Sequence, residues 1–298
     1  MAADMETNTM LILGAGYSGK AVARRLLAKG WTVRGTSRSE AGVEQLRRAG
    51  IAAGVAGDGR LPADLLAGAT ALLASIPPSD GGDPMAAAVA YHLRNGPGAL
   101  RWIGYLSTTG VYGDTGGAWV DESAAPNPSN ARGRRRLLAE AQWLEIGRRA
   151  GIAVQIFRLP GIYGPGRSAL DDVRAGKARR IDKPGQAFSR IHVEDIAATV
   201  EASLARPQAG AIYNVTDDVP APSADVVTYA CELLGIAPPP LIPFAEIEPT
   251  LSPMSREFYA DNRRLKNDRI KRELGVELAY PDYRAGLQAI LAAEKAAG

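Results

Sequence analysis

The chain has 298 residues with 33 Gly, 20 Pro, 46% hydrophobic and 22% charged residues, which excludes both the charge-rich composition of disordered chains and the glycine periodicity of collagen. Lys and Arg total 35 against 32 Asp and Glu; the net charge of +3 is too slight to argue for nucleic acid, and a cluster such as Arg134-Arg135-Arg136 reads either as a solvated helix face or as a place where an anion is met. Cys231 is a single cysteine and there are two histidines, so neither a disulfide nor a zinc or iron site is expected, and no apolar run approaches the roughly 18 residues of a membrane span.

Asp4 and Glu6 stand where a secretory leader would carry lysine and an apolar stretch, so the expectation is a cytoplasmic protein. Short apolar runs at 10–13, 32–36, 51–55, 71–76, 102–106 and 154–159 alternate with segments of helical period, among them 20–29 and 132–149. Strands buried on both faces read as continuous apolar runs and need crossover helices between them, so the pattern predicts an α/β fold with a doubly wound parallel sheet. Beyond Gly161, prolines and glycines punctuate the chain (Pro165, Gly166, Pro220, Pro222, Pro238 to Pro240, Pro253), and a smaller, less regular C-terminal lobe with loops at the prolines is expected over the carboxyl edge of the sheet.

The first strand runs into Gly14-Ala-Gly16-Tyr17-Ser18-Gly19 and a helical pattern follows at once. This is the G-x-G-x-x-G turn of a dinucleotide site: Gly14 for the tight turn, Gly16 for close approach of a pyrophosphate, Gly19 for close packing of helix on strand, with Tyr17 and Ser18 opening the anion-binding end of the helix. Gly14 to Lys20 also spells most of a phosphate-binding P-loop, but Ala21 follows the lysine where a magnesium-binding hydroxyl is required. About twenty residues on, where an NAD site places a carboxylate, the chain reads Thr36-Ser37-Arg38. Thr36 and Ser37 can donate to a 2′-phosphate and Arg38 can pair with it, so NADP is favoured over NAD; the competing reading makes Arg38 the surface start of the next helix.

Three later motifs carry a resemblance: Tyr105-Leu-Ser107-Thr108-Thr109-Gly-Val-Tyr112-Gly113, Arg158-Leu-Pro160-Gly161-Ile162-Tyr163-Gly164-Pro165-Gly166, and Arg190-Ile-His192-Val-Glu-Asp195. Together with Ile212-Tyr-Asn214 and the 265–274 segment they resemble the extended short-chain dehydrogenase/reductase superfamily, in its NAD(P)-dependent epimerase/dehydratase branch, over nearly the whole chain. The resemblance implies a Rossmann domain at 1–164 with 189–215 contributing, and a smaller substrate-binding lobe from 165–188 and 216–298. It also implies that Asp58 approaches the adenine, that Ser75, Ile76, Pro77 and Ser107 line the cofactor cleft, and that Pro160 and Ile162 pass the nicotinamide.

Family members that act on alcohols or ketones use Ser or Thr, a Tyr, and a Lys four residues after the Tyr. Thr108 fits the first role. Arg132-Gly133-Arg134-Arg135-Arg136-Leu-Leu-Ala-Glu140 resembles the helix that carries the other two, with Arg132 at the tyrosine position and Arg136 at the lysine position. A guanidinium donates hydrogen bonds and stabilises an oxyanion but does not shuttle protons near neutrality. The expectation is an atypical member: Thr108 orients a reacting oxygen, Arg132 and Arg136 polarise it, and water or Tyr112 supplies the proton. Tyr163 is a lesser candidate donor, and His192 a hydrogen-bonded structural residue. The substrate expected is a small, anionic carbonyl or sugar-like molecule, with no nucleic acid and no membrane partner and a homodimer as one admissible assembly. A catalytically silent NADP-binding redox sensor is the alternative.

Overall fold

The computed structural model describes residues 8–57 and 59–297. Seven strands form one parallel sheet: β1 (Thr9–Leu13), β2 (Thr32–Ser37), β3 (Ala52–Val55), β4 (Ala71–Ala74), β5 (Trp102–Thr108), β6 (Ala153–Leu159) and β7 (Ala211–Asn214). Their order across the sheet is β3-β2-β1-β4-β5-β6-β7, every neighbour pair parallel. The winding reverses between β1 and β4, which opens a crevice beyond the carboxyl ends of those two strands.

At β1, β4 and β5 the continuous apolar runs are accounted for by burial on both faces, whereas the edge strand β3 is only partly covered. Side chains alternate along a strand, so Met10 and Ile12 enter the core shared with Val22 and Leu26 of the helix Tyr17–Leu27, while Leu11 and Leu13 enter the core that holds Val89, Trp143 and Ile146 on the opposite face. β4 stops at Ala74, short of the expected Ile76, because Pro77 and Pro78 cannot donate to a ladder; Ser75 makes the last bond, to the Leu13 carbonyl at 2.9 Å. β7 was legible only as part of a motif, and it extends the sheet beside β6.

The helix Ala131–Ala150 is fixed at both ends: Asn130 accepts from the Gly133 N–H at 2.9 Å, and Gly151 closes it in the left-handed conformation at φ +67°. A Cβ on Gly133 would lie 2.7 Å from Pro128 Cβ and 2.8 Å from the Gly110 carbonyl oxygen. Glycine there lets the helix start lie directly on the turn that follows β5, which brings Arg132 and Arg136 to the cleft that also holds Thr108.

Beyond β6, the helices Ala169–Arg174, Ser223–Leu234 and Tyr283–Ala297 share a core of Leu170, Val226, Ala230 and Leu287. A smaller cluster of Ile181, Phe188, Ile247, Leu251 and Tyr259 lies beside it. Two prolines read as loop markers open helices instead: Pro222 occupies an N-cap and Pro253 begins the helix Pro253–Ala260, where an absent N–H costs nothing. Among the described residues no helix is long and apolar enough to cross a membrane.

Candidate functional site

At the end of β1, Gly14 has φ +76°, and a Cβ there would stand 2.6 Å from Ile76 Cγ1, so this turn accepts glycine alone. A Cβ on Gly19 would lie 3.1 Å from Ile12 Cγ2, the close helix-on-strand approach its motif position requires. Gly16 differs: a Cβ there would meet only the Gly14 carbonyl oxygen, at 3.9 Å. The space beside it is open, and the helix Tyr17–Leu27 begins there with no side-chain cap and no acidic residue in its first turn. Free N–H groups facing an open cradle suit a pyrophosphate. Ser18 and Ser75 line the adjoining cleft, whose volume is about 550 Å³.

The end of β2 divides the three residues assigned to a 2′-phosphate. Thr36 is 1% exposed and its Oγ1 accepts from the Gly14 N–H at 2.8 Å. This corrects the sequence expectation for Thr36: its hydroxyl braces the glycine turn from beneath and does not face solvent where a phosphate would lie. Ser37 is half-buried, its Oγ accepting from the Ser39 N–H at 3.5 Å. Arg38 is exposed, and among the described residues its guanidinium has no hydrogen-bond or ion-pair partner. Gly57 lies beside the Arg38 side chain, and Asp58, the next residue, is outside the described residues. Ile76 packs over Gly14, and Pro77 is exposed.

At the other end of the cleft Thr108 caps the short turn Thr109–Tyr112, its Oγ1 accepting from the Gly110 N–H at 3.2 Å, which leaves its own O–H free to donate. Arg132, Arg136, Ser107, Pro160 and Ile162 line the same cleft. Arg136 is anchored, its Nη1 donating to the Leu106 carbonyl at 2.6 Å and to the Tyr105 hydroxyl at 3.3 Å. Arg132 is exposed and, among the described residues, unpaired.

Tyr112 does not join them. It is 2% exposed, its hydroxyl donates to Asn214 Oδ1 at 2.9 Å, and burial raises its pKa. The sequence expectation of a proton donor at Tyr112 is therefore corrected: the phenol is turned into the protein, where its proton is held. Tyr163 is likewise buried, donates to the Asp282 carbonyl at 3.2 Å, and is raised by burial with Asp217 and Asp195 adding to the effect. His192 caps the helix Val193–Ala205, its Nδ1 accepting from the Glu194 N–H at 3.3 Å, and burial depresses its pKa to about 4.

Beneath the cleft lies a buried ion pair whose role the sequence did not disclose. Arg158 Nη2 meets Glu140 Oε2 at 2.7 Å with side chains 2% and 3% exposed, and the Ser107 hydroxyl donates to Glu140 Oε1 at 2.5 Å. Arg158 also lies over the Tyr112 ring, 4.8 Å from its centroid. Both charged residues stood inside quoted motifs, but nothing in spacing links positions eighteen apart on a helix and a strand. Arg167, Phe188, Phe258 and Arg263, contributed by the C-terminal segments, also line the cleft and were not anticipated. Arg167 immediately follows a quoted motif and lies 5.7 Å from the Tyr17 ring, whose hydroxyl donates to the Pro165 carbonyl at 3.1 Å.

No family model matches the chain. It is 32% identical over 290 residues to the protein YeeZ of Escherichia coli K12, covering 91% of this chain and 96% of that one. A conserved protein of unknown function from Silicibacter pomeroyi has a structure that superposes with TM-score 0.90 at 48% identity, covering 96% of this chain and 99% of that one. A Methylobacillus flagellatus structure, named among the NAD-dependent epimerase/dehydratases, superposes with TM-score 0.71 at 28% identity, covering 97% and 99%.

Proposed function

The chain belongs to the extended short-chain dehydrogenase/reductases as an atypical member of their NAD(P)-dependent epimerase/dehydratase branch, and on that premise we propose that it binds NADP and transfers hydride to or from a small anionic carbonyl or sugar-like substrate. The observation that carries this reading is the continuity of one cleft from Ser18, next to the open space at Gly16, to Thr108, Arg132 and Arg136. The helix N-terminus at Gly16 to Ser18 would hold the pyrophosphate, Ser75, Ser107, Pro160 and Ile162 would line the path of the nicotinamide, and Arg38 would pair with the 2′-phosphate. When bound, the cofactor supplies or accepts the hydride.

The chain's own residues then act on the reacting oxygen. The free O–H of Thr108 donates to it, and Arg136, held by the Leu106 carbonyl, stabilises negative charge that develops there. Arg132, exposed and unpaired among the described residues, takes the substrate's anionic group. A guanidinium keeps its proton near neutral pH, so in reduction the new C–H bond forms at the carbonyl carbon while the oxygen takes its proton from water in the open cleft.

A second reading, a redox sensor without turnover, is favoured by one observation: Tyr105, Tyr112, Tyr163 and Tyr259 each have their hydroxyl engaged by another residue. Calorimetric titration with NADPH, NADP⁺ and NADH, followed by single-turnover absorbance with a panel of carbonyl compounds, tests both. Binding with NADPH preferred and hydride transfer at stoichiometric substrate is the expected result. Unequal affinity for NADPH and NADP⁺ with no transfer across the panel selects the sensor, and no heat from any nucleotide ends both readings.

A further inference from the structure

The lobe side of the cleft carries an aromatic platform. Phe188 is 8% exposed and pinned by reciprocal backbone bonds to Ala221, at 3.0 and 3.1 Å. Tyr259 meets its ring edge-on at 5.3 Å. Phe258, on the helix Pro253–Ala260, stacks on Phe188 with ring centroids 4.3 Å apart and planes 13° from parallel, yet Phe258 remains 50% exposed. A large apolar ring held on a rigid base with half its surface in a polar cleft is a surface that a ligand can desolvate.

The charges around the platform limit that ligand. Arg263 is committed, its Nη1 donating to Asp261 Oδ2 at 2.8 Å and to the Gly113 carbonyl at 2.9 Å. Arg136 is anchored on the Leu106 carbonyl, and Arg167 lies at the glycine turn beside Tyr17. Among the described residues Arg132 is left as the uncommitted cation at the reaction end of the cleft, and Glu257, exposed next to Phe258, faces the same space. One free guanidinium with a carboxylate nearby suits a single negative charge and opposes a diphosphate.

We propose that the substrate class is a planar aromatic monocarboxylate, its ring laid against Phe258 and its carboxylate paired with Arg132. This rests on the reading of the cleft as a cofactor-dependent site, and it replaces a sugar-like substrate with an aryl acid.

The test titrates the protein saturated with NADP⁺ with benzoate, cyclohexanecarboxylate, benzamide and UDP-glucose. Benzoate is expected to bind roughly three- to tenfold tighter than cyclohexanecarboxylate through ring stacking. It should bind at least roughly tenfold tighter than benzamide through the charge-assisted pair. Phe258→Leu should erase the first preference and Phe258→Tyr should keep it; Arg132→Gln should erase the second. Unchanged thermal melts of the variants keep those comparisons about the site. A benzoate preference that survives Phe258→Leu, equal binding of benzoate and cyclohexanecarboxylate, or UDP-glucose binding tighter than benzoate would each overturn the proposal. NADP⁺ binding with any of these results overturns the substrate class alone. Failure of NADP⁺ to bind overturns the proposed function, and the same benzoate comparison on the free protein then decides the platform by itself.

Discussion

Glu140 holds two partners with one buried carboxylate: Arg158 through a paired contact at 3.1 and 2.7 Å, and the Ser107 hydroxyl at 2.5 Å. A residue of the helix Ala131–Ala150 thereby ties together the carboxyl-terminal ends of β5 and β6, and the next residue of β5 is Thr108.

Breaking that pair from one side leaves a guanidinium in the interior without a counter-charge. Glu140→Ala is expected to cost about 3–5 kcal/mol of unfolding free energy. Replacing both partners with apolar residues of similar volume should recover most of the loss, because the desolvation cost disappears with the second charge. Urea denaturation of the two single variants and the double variant measures the coupling. Additive losses would show that the charges act independently.

The two motif glycines have separable jobs. Gly14→Ala places a methyl group against Ile76 in a left-handed backbone conformation and should destabilise the fold by about 1–3 kcal/mol. Gly16→Ala meets no neighbour closer than 3.9 Å and should shift stability by no more than about 0.5 kcal/mol, while weakening nucleotide binding by roughly tenfold or more. Thermal melts and nucleotide titrations on the same two proteins check this, and equal loss of stability would refute it.

Arg38 and Arg167 are expected to contact different phosphates. Arg38→Asp should weaken NADPH by roughly ten- to hundredfold while leaving NADH almost unchanged, since only the former carries a 2′-phosphate. Arg167→Ala, beside the glycine turn, should weaken both nucleotides by a similar factor. Fluorescence titration of the two nucleotides against each variant separates the roles, and equal losses in Arg38→Asp would remove the NADP assignment.

Stability should respond to pH through two buried groups of opposite sense. His192 falls from 6.5 to about 4 in the folded chain because burial disfavours its charged form, so stability is lost as pH drops from 6.5 through 4. Asp217 rises from 3.8 to about 8, chiefly by burial, and its Oδ2 has no hydrogen-bond partner, so the folded chain keeps a proton that the unfolded chain has released. Its contribution is lost as pH rises through 8, and between 6.5 and 8, above the His192 window, it lowers stability by roughly 2 kcal/mol. Thermal melts across that window should slope downward with pH in the wild type and lie flat in Asp217→Asn. A slope that persists in the variant would assign it to another group.

Much of the fold was legible because local physics repeats along the chain. The apolar runs that became β1, β4 and β5 could be read individually, since a strand buried on both faces is apolar along most of its length, and the glycine turn could be read because a positive-φ turn and close helix-on-strand packing need glycine at fixed spacing. The geometry was legible where it rests on one residue in a motif, as for Gly14, whose positive φ and contact with Ile76 require glycine. It was misread where two residues compete for one atom: Thr36 has a hydroxyl at the right position, and Gly14 takes it; Tyr112 has a phenol near the cleft, and Asn214 turns it inward.

The sequence by itself determined that a parallel sheet would form and that two arginines, Arg132 and Arg136, stand four apart in the helical run after β5. Only the tertiary structure decided which of those arginines stays free, because Arg136 is captured by a carbonyl of β5 whereas Arg132, one turn earlier at the helix start, is left open to the cleft. The stacking of Phe258 on Phe188 belongs to the same class of fact. It joins residues seventy positions apart through tertiary packing, a contact that no local periodicity encodes.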